Sequence, residues 1–378
     1  MKFVHLSDLH IGKTICNYSF IEDQRFILNQ ILDNIKDIKP DGVIIAGDVY
    51  NKSIPSAEAV TVFDEFITKI SNEKIPLYII SGNHDNAERL SYGADIFKSN
   101  EIYFSPVYDG KLEKITKEDE FGKVNIFLCP FVRRENVRQF FPDDDTSTVD
   151  GALKTVMAHT EIDESERNLL VCHQFVTGAI KSESEDLNVG TLDNVDAKTF
   201  DGFDYVALGH IHGQQKVYRD TIRYCGTPLK YSISEENHKK SMTVVELLEK
   251  GNVKIDIIPL NPLRNMRTVR GNFNKLIMPT SYENENTDDY VNIILTDEMD
   301  IPNGLERMRS IYPHIMIFNY DNKRTQNTQT IKADNRAGER TPAQLFSQHY
   351  EAMNNKPMSE EESEFVNKLI EEIWGENV

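Results

Sequence analysis

Cysteine is scarce in this chain. Cys16, Cys129, Cys172 and Cys225 are scattered through 378 residues, with no Cys-x-x-Cys pair. That pattern excludes a disulfide framework and implies reduced thiols in a cytoplasmic protein. Long apolar runs are missing too. No stretch of about 18 apolar residues occurs, so no membrane-spanning helix is expected. The opening residues, MKFVHLSDLH, reach a carboxylate by position 8 and carry no signal-peptide core. Nor is there an excess of positive charge: 42 Lys and Arg stand against 61 Asp and Glu, a net charge of −19. This argues against a purely electrostatic, unassisted DNA binder. It leaves a nuclease open, because a local field can oppose the global one. Repeats and low-complexity tracts are absent.

What is present is ordinary for a soluble protein: 39% apolar and 27% charged residues. The length allows a large core and two or three domains. Short apolar runs at 3–6, 43–46, 77–80, 126–128, 168–172 and 205–208 alternate with helical patterns. In residues 22–38, Ile27, Leu28, Ile31, Leu32, Ile35 and Ile38 recur at helical spacing; residues 56–70 repeat the pattern. The strand-helix-strand rhythm predicts an α/β layered core, β-sheets flanked by helices.

Each run delivers polar residues at its end. Asp8 and His10 follow the first, Asp48 the second, and Asn83, His84 and Asp85 the third. His173 follows the fifth; His210 and His212 follow the sixth. Ligands of open α/β sheets bind at the carboxyl ends of strands, so these side chains are expected to converge. Carboxylate, imidazole and amide oxygen suit divalent ions such as Mn²⁺, Zn²⁺ or Fe²⁺. Seven candidates are too many for one ion with open positions, and suit two ions about 3.5–4 Å apart, bridged by a carboxylate. Single Asp-x-His or His-x-His pairs are weak signals; the ordered set is specific. His5, mid-strand, is expected to be a satisfied core histidine, and His159 a surface one.

In this order, DLH, GD, GNHD, a lone His and GHIH resemble the calcineurin-like metallophosphoesterases. HLSDLHIGK, SGNHDNAERL, YVALGHIH, GTPLKYSISE and PLRNMR are similar to its DNA-nuclease branch over nearly the whole chain. The resemblance implies one metal on Asp8, His10, Asp48 and His212, and another on Asp48, Asn83, His173 and His210. Asp48 would bridge. His84 would bind no metal and face the scissile phosphate. Asp85 would orient and bias its imidazole, by the logic of carboxylates behind histidines. The implied cofactor is two Mn²⁺, with Mg²⁺, Fe²⁺ or Zn²⁺ as alternatives. Two such ions would make the site positive inside an acidic protein.

Three segments are expected: a metallophosphoesterase domain over 1–262, an α/β DNA-capping domain over 263–330, and a linker with C-terminal helices over 331–378. In the second, strands are expected at 291–295 and 315–318 around a helix at 304–311. Lys13 and Arg89 flank the ligand loops and are candidates for DNA phosphates, as is the Arg264–Arg267–Arg270 stretch. In the tail, Thr341 with Pro342 opens one helix, and Ser359 with Glu362 forms a capping-box pattern for the next. Phe365, Val366, Leu369, Ile370 and Ile373 then share a face. The family resemblance implies that this tail grips a coiled-coil ATPase, that residues 56–70 contribute to a homodimer within a heterotetramer, and that the substrate is DNA. A phosphatase or small-molecule phosphodiesterase, and an idle scaffold, are the rival readings.

Overall fold

The first apolar run forms β1 (Lys2–Leu6), followed by α1 (Ile21–Ile38), β2 (Gly42–Ala46), α2 (Ala57–Asn72), β3 (Leu77–Ile80) and β4 (Ile102–Phe104). The structure is a computed structural model. It describes residues 1–105, 107–182, 185, 194–323, 325, 341–354 and 357–374. These four strands pair in parallel. Helix α1 turns Ile27, Leu28, Ile31, Leu32 and Ile35 inward, the stripe its periodicity requires. The Ser56 hydroxyl caps α2 by accepting the Ala59 N–H at 3.2 Å.

A hairpin, β5 (Glu113–Asp119) and β6 (Gly122–Cys129), opens a second sheet. After α3 (Val149–Ala158) the chain adds β7 (Arg167–His173), β8 (Tyr205–Gly209), β9 (Gln215–Val217) and β10 (Arg219–Tyr224). The order is β9-β10-β8-β7-β6-β5. The chain then returns to the first sheet. There β11 (Ser241–Leu247) and β12 (Val253–Pro259) pair antiparallel, giving the order β12-β11-β1-β2-β3-β4.

The two sheets pack face to face through Phe3, Tyr78, Ile126, Leu169, Val171 and Ala207, all fully buried. The outer face of the second sheet packs on Leu153 and Val156 of α3. Central strands are buried on both faces, which is why they read as continuous apolar runs rather than alternating ones. His5 is such a core residue: Nε2 donates to the Leu208 carbonyl (3.2 Å) and Nδ1 accepts from the Tyr205 hydroxyl (3.0 Å). His159 is exposed and pairs with Asp144 at 2.9 Å.

The chain divides into two compact units, Met1–Met266 and Arg267–Val378. The second is built on β13 (Met266–Gly271), β14 (Tyr290–Leu295), α4 (Gly304–Arg309) and β15 (Ile315–Tyr320), in the order β13-β14-β15. β14 and β15 are parallel, the pairing that a crossover helix allows. Val269, Phe273, Ile293, Met308 and Tyr312 form its core. The tail folds into α5 (Pro342–Asn354) and α6 (Glu360–Trp374). Both carry reciprocal caps, Thr341 with Gln344 and Ser359 with Glu362. On α6, Phe365 is 64% exposed and Leu369 39%, while Val366 and Ile370 are half-buried. The side chain of Ile373 and the linker at 332–340 lie outside the described residues.

The arginines of the 264–270 stretch are paired with acids. Arg264 is paired with Asp23 (2.9 Å) and Glu22 (2.8 Å), Arg267 with Asp289 (2.8 Å) and Glu285 (3.3 Å), and Arg270 with Asp321. Each charge is engaged within its own unit. All four cysteines are free thiols. Among the described residues, no helix is long and apolar enough to cross a membrane.

Candidate metal centre

The loops after β1 and β2 are zipped together: Asp8 N–H donates to the Gly47 carbonyl (3.0 Å) and His10 N–H to that of Asp48 (2.9 Å). Asp8, His10, Asp48 and His210 all adopt positive φ, at 50°, 45°, 48° and 101°. Non-glycine residues rarely adopt this conformation, and it concentrates at functional sites. Glycines let the loops close. A Cβ on Gly209 would lie 1.8 Å from the Ala46 carbonyl oxygen, and one on Gly82 would lie 2.1 Å from Asp48 Oδ1. This is the physical reason for glycine before His210 and before Asn83.

The seven residues at the strand ends meet. Asp48 Oδ2 lies 3.4 Å from His173 Nε2 and 3.8 Å from His10 Nε2. Asn83 Oδ1 lies 3.1 Å from His173 Nε2 and 2.9 Å from His210 Nδ1. His10 Nε2 and His212 Nε2 face each other at 3.2 Å. Asp8 accepts the backbone N–H of His210 and the Ser7 hydroxyl. Asp8, His10, Asp48, His173 and His212 are buried, as befits ligands and not surface polar groups.

The donor set fits divalent cations. His173 Nδ1 donates to the Ala46 carbonyl (2.8 Å), which turns Nε2 to the Asn83 and Asp48 oxygens, where once deprotonated it can give its lone pair to a cation. His212 Nδ1 donates to Glu235 Oε1 (3.0 Å), so its lone pair points at His10. Acceptors thus face acceptors, an arrangement that a shared cation satisfies. His10 Nδ1 is buried without a hydrogen-bond partner among the described residues. Three clusters could each hold an ion: Asp8–His10–His212, Asp8–Asp48–His173 and His10–Asp48–His84. The third includes His84, which the sequence reading keeps off the metals.

Protonation follows the same demand for positive charge. Burial works against ionising Asp48, but His173 and His10 outweigh it and hold the carboxyl below the usual range. Burial opposes the charge on His173, yet Asp48 and Asp8 lift its pKa to about 9. Burial raises Asp8 to about 6 and lowers His210 to about 3.

Asp85 requires a correction. Its carboxylate accepts the backbone N–H groups of Val49 (3.1 Å), Tyr50 (2.9 Å) and Gly82 (2.9 Å), tying the β2 and β3 loops together. The group facing His84 Nδ1 is the Asn51 carbonyl (3.2 Å). The hydrogen bonds described for Asp85 go to backbone N–H groups and not to the neighbouring ring. His84 Nε2 lies 3.9 Å from Asp48 Oδ2, and its side chain is 25% exposed. Lys13 Nζ sits 5.9 Å from the Tyr231 ring centroid, and that ring packs on His10. Arg89 is exposed on the turn capped by Asn86. Glu235 and Lys240, at hydrogen-bond distance from His212, were not foreseen, although Glu235 closes the GTPLKYSISE stretch that carries the family resemblance.

Residues 1–214 match the calcineurin-like phosphoesterase family. Residues 262–354 match the type 5 capsule protein repressor C-terminal domain. The SbcD subunit of the SbcCD nuclease of Staphylococcus epidermidis is 31% identical over 377 residues, 98% of each chain. The chain belongs to the calcineurin-like phosphoesterases and, within them, to the SbcD group. Among solved structures, it is similar to a dimetal phosphatase from Danio rerio, at 10% identity over 68% of this chain and 96% of that one, with a TM-score of 0.43. It is also similar to GAP50, the anchor in the inner membrane complex of Plasmodium, at 11% identity over 69% and 89%, with a TM-score of 0.39. Family membership implies divalent metal ions at this centre.

Proposed function

We propose that this chain is a two-metal DNA nuclease, the hydrolytic subunit of an ATP-dependent complex in recombination and double-strand break repair. The convergence of Asp8, His10, Asp48, Asn83, His173, His210 and His212 on one point carries this reading. Asp8, His10, Asp48 and His212 would hold one Mn²⁺; Asp48, Asn83, His173 and His210 would hold the other. When bound, such ions supply Lewis-acid charge to a phosphodiester and acidify water. The protein does the rest. The Ala46 carbonyl and Glu235 fix the tautomers of His173 and His212. Asp85 locks the ligand loops together. His84, oriented by the Asn51 carbonyl, presents Nε2 to the phosphate and protonates the leaving oxygen or stabilises its charge. Lys13 and Arg89 contact DNA phosphates.

The DNA substrate is supported by the relative named above. The activities are exonucleolytic on duplex ends and endonucleolytic on hairpins and single strands, in the cytoplasm. Functionally, residues 1–262 cleave, 263–330 bind DNA as a cap, and 331–378 dock an SbcC-type coiled-coil ATPase. The exposed Phe365 and Leu369 support that docking. Helix α2 contributes to a homodimer within a heterotetramer.

The test is Mn²⁺-stimulated cleavage of end-labelled hairpin and single-stranded DNA, with a phosphomonoester dye as control. DNA cleavage supports the nuclease; dye turnover without it makes the protein a phosphatase. Metal binding with neither activity, even with the ATPase partner added, makes it a scaffold. Deleting 341–378 should abolish partner binding in a pull-down and spare Mn²⁺-dependent hairpin cleavage.

A further inference from the structure

Glu235 is a fully buried carboxylate at the end of a short 3-10 turn, Ile233–Glu235. One oxygen, Oε1, accepts from His212 Nδ1 at 3.0 Å; the other lies 2.6 Å from Lys240 Nζ. Lys240 is buried too, and donates as well to the His212 carbonyl (3.0 Å) and the Thr227 hydroxyl (2.6 Å). The pair therefore holds His212 twice, by its ring and by its backbone. Burying two charges carries a desolvation penalty that a well-packed apolar pair would avoid. Here the oxygen that Lys240 leaves available is spent on one imidazole, whose other nitrogen faces His10 Nε2 at 3.2 Å.

We infer that Glu235, braced by Lys240, is a positioning residue for one of the two cation sites: it fixes His212 as the Nδ1–H tautomer and aims Nε2 at the ion shared with His10. This rests on the two-metal reading. It also makes the segment from Thr227 to Lys240 part of the metal centre. The effect is local to one site, because the other site's histidines take their outer contacts elsewhere. His173 uses the Ala46 carbonyl, and the one neighbour described for the His210 ring nitrogens is Asn83.

The experiment is Mn²⁺ titration of the full chain by calorimetry, with electron paramagnetic resonance at each equivalent. The proteins are wild type, Glu235→Leu, and Glu235→Leu with Lys240→Met. The double variant removes both buried charges, so the inference stays testable if the single change unfolds the protein by stranding Lys240. Circular dichroism melting identifies the folded variant. Expected is one Mn²⁺ bound as in wild type and a second weakened about 10–100-fold. The spin-coupled pair signal of wild type should give way to that of isolated Mn²⁺ at one equivalent. Two unchanged sites, or two sites weakened equally, in a folded variant would overturn the inference. A wild type that binds no Mn²⁺ would instead overturn the two-metal reading and this inference with it.

Discussion

His5 and His10 lie on the same short segment, both buried, and burial keeps both imidazoles from protonating. They differ in where their nitrogens go. His5 spends one on the Leu208 carbonyl and the other on the Tyr205 hydroxyl, so its hydrogen-bonding capacity is filled inside the sheet sandwich. His10 faces another imidazole nitrogen at 3.2 Å, and its Nδ1 has no hydrogen-bond partner among the described residues. Buried polar groups are normally satisfied. The other nitrogen of His10, Nε2, lies 3.8 Å from Asp48 Oδ2 and 3.2 Å from His212 Nε2, a gathering that a shared cation would satisfy. The backbone agrees: His5 is regular strand, while His10 has a φ of 45°.

Substitution should separate the two. His10→Ala should remove several kcal/mol of transition-state stabilisation, about a thousandfold or more in Mn²⁺-dependent cleavage, with one Mn²⁺ lost by metal analysis. His5→Phe should keep both ions and the rate. Equal losses in both would erase the contrast.

His84→Ala sharpens it from the other side. This residue lies at the site yet is part-exposed, so turnover should fall about 10²–10⁴-fold with the metal content unchanged. Loss of an ion would make His84 a ligand, as its cluster with His10 and Asp48 allows.

Gly209→Ala tests the close packing behind the ligand loops. A Cβ 1.8 Å from a backbone oxygen should lower stability by at least about 3 kcal/mol, read by denaturant unfolding. A loss under about 1 kcal/mol would mean that the loops give way easily.

The last comparison concerns His5 and pH. Its pKa is lowered to about 3, chiefly by burial, against 6.5 for the ordinary group. Between these values the unfolded chain binds a proton that the folded one refuses. Stability is therefore full above about 6.5 and falls as pH drops toward about 3, by up to ~1.4 kcal/mol per pH unit. His5→Phe should flatten that slope, while losing about 1–3 kcal/mol overall from the stranded Tyr205 hydroxyl. An unchanged slope in urea unfolding at pH 4–7 would refute the assignment.

Much of this was legible. The runs ending in Asp8, Asp48, Asn83, His173 and His210 form β1, β2, β3, β7 and β8, because continuous apolar stretches suit doubly covered parallel strands. The caps at Thr341 and Ser359 were equally plain, since capping is settled within four residues. The hairpin of β11 and β12 was not. β12 is an edge strand of half-buried and exposed residues, and the pairing of β11 with β1 joins residues 238 to 244 apart in sequence. Asp85 misled because carboxylates often stand behind histidines, whereas here three backbone donors claim it.

By itself the sequence determined which residue types stand at which strand ends, because strand and helix periodicity are local properties of the chain. The tertiary structure alone decided which atoms meet. His10 and His212 are 202 residues apart in sequence and 3.2 Å apart in space. Glu235 joins the site only where Lys240 and His212 close around it. Hydrogen bonds and ion pairs act over a few ångströms, and only folding sets those distances.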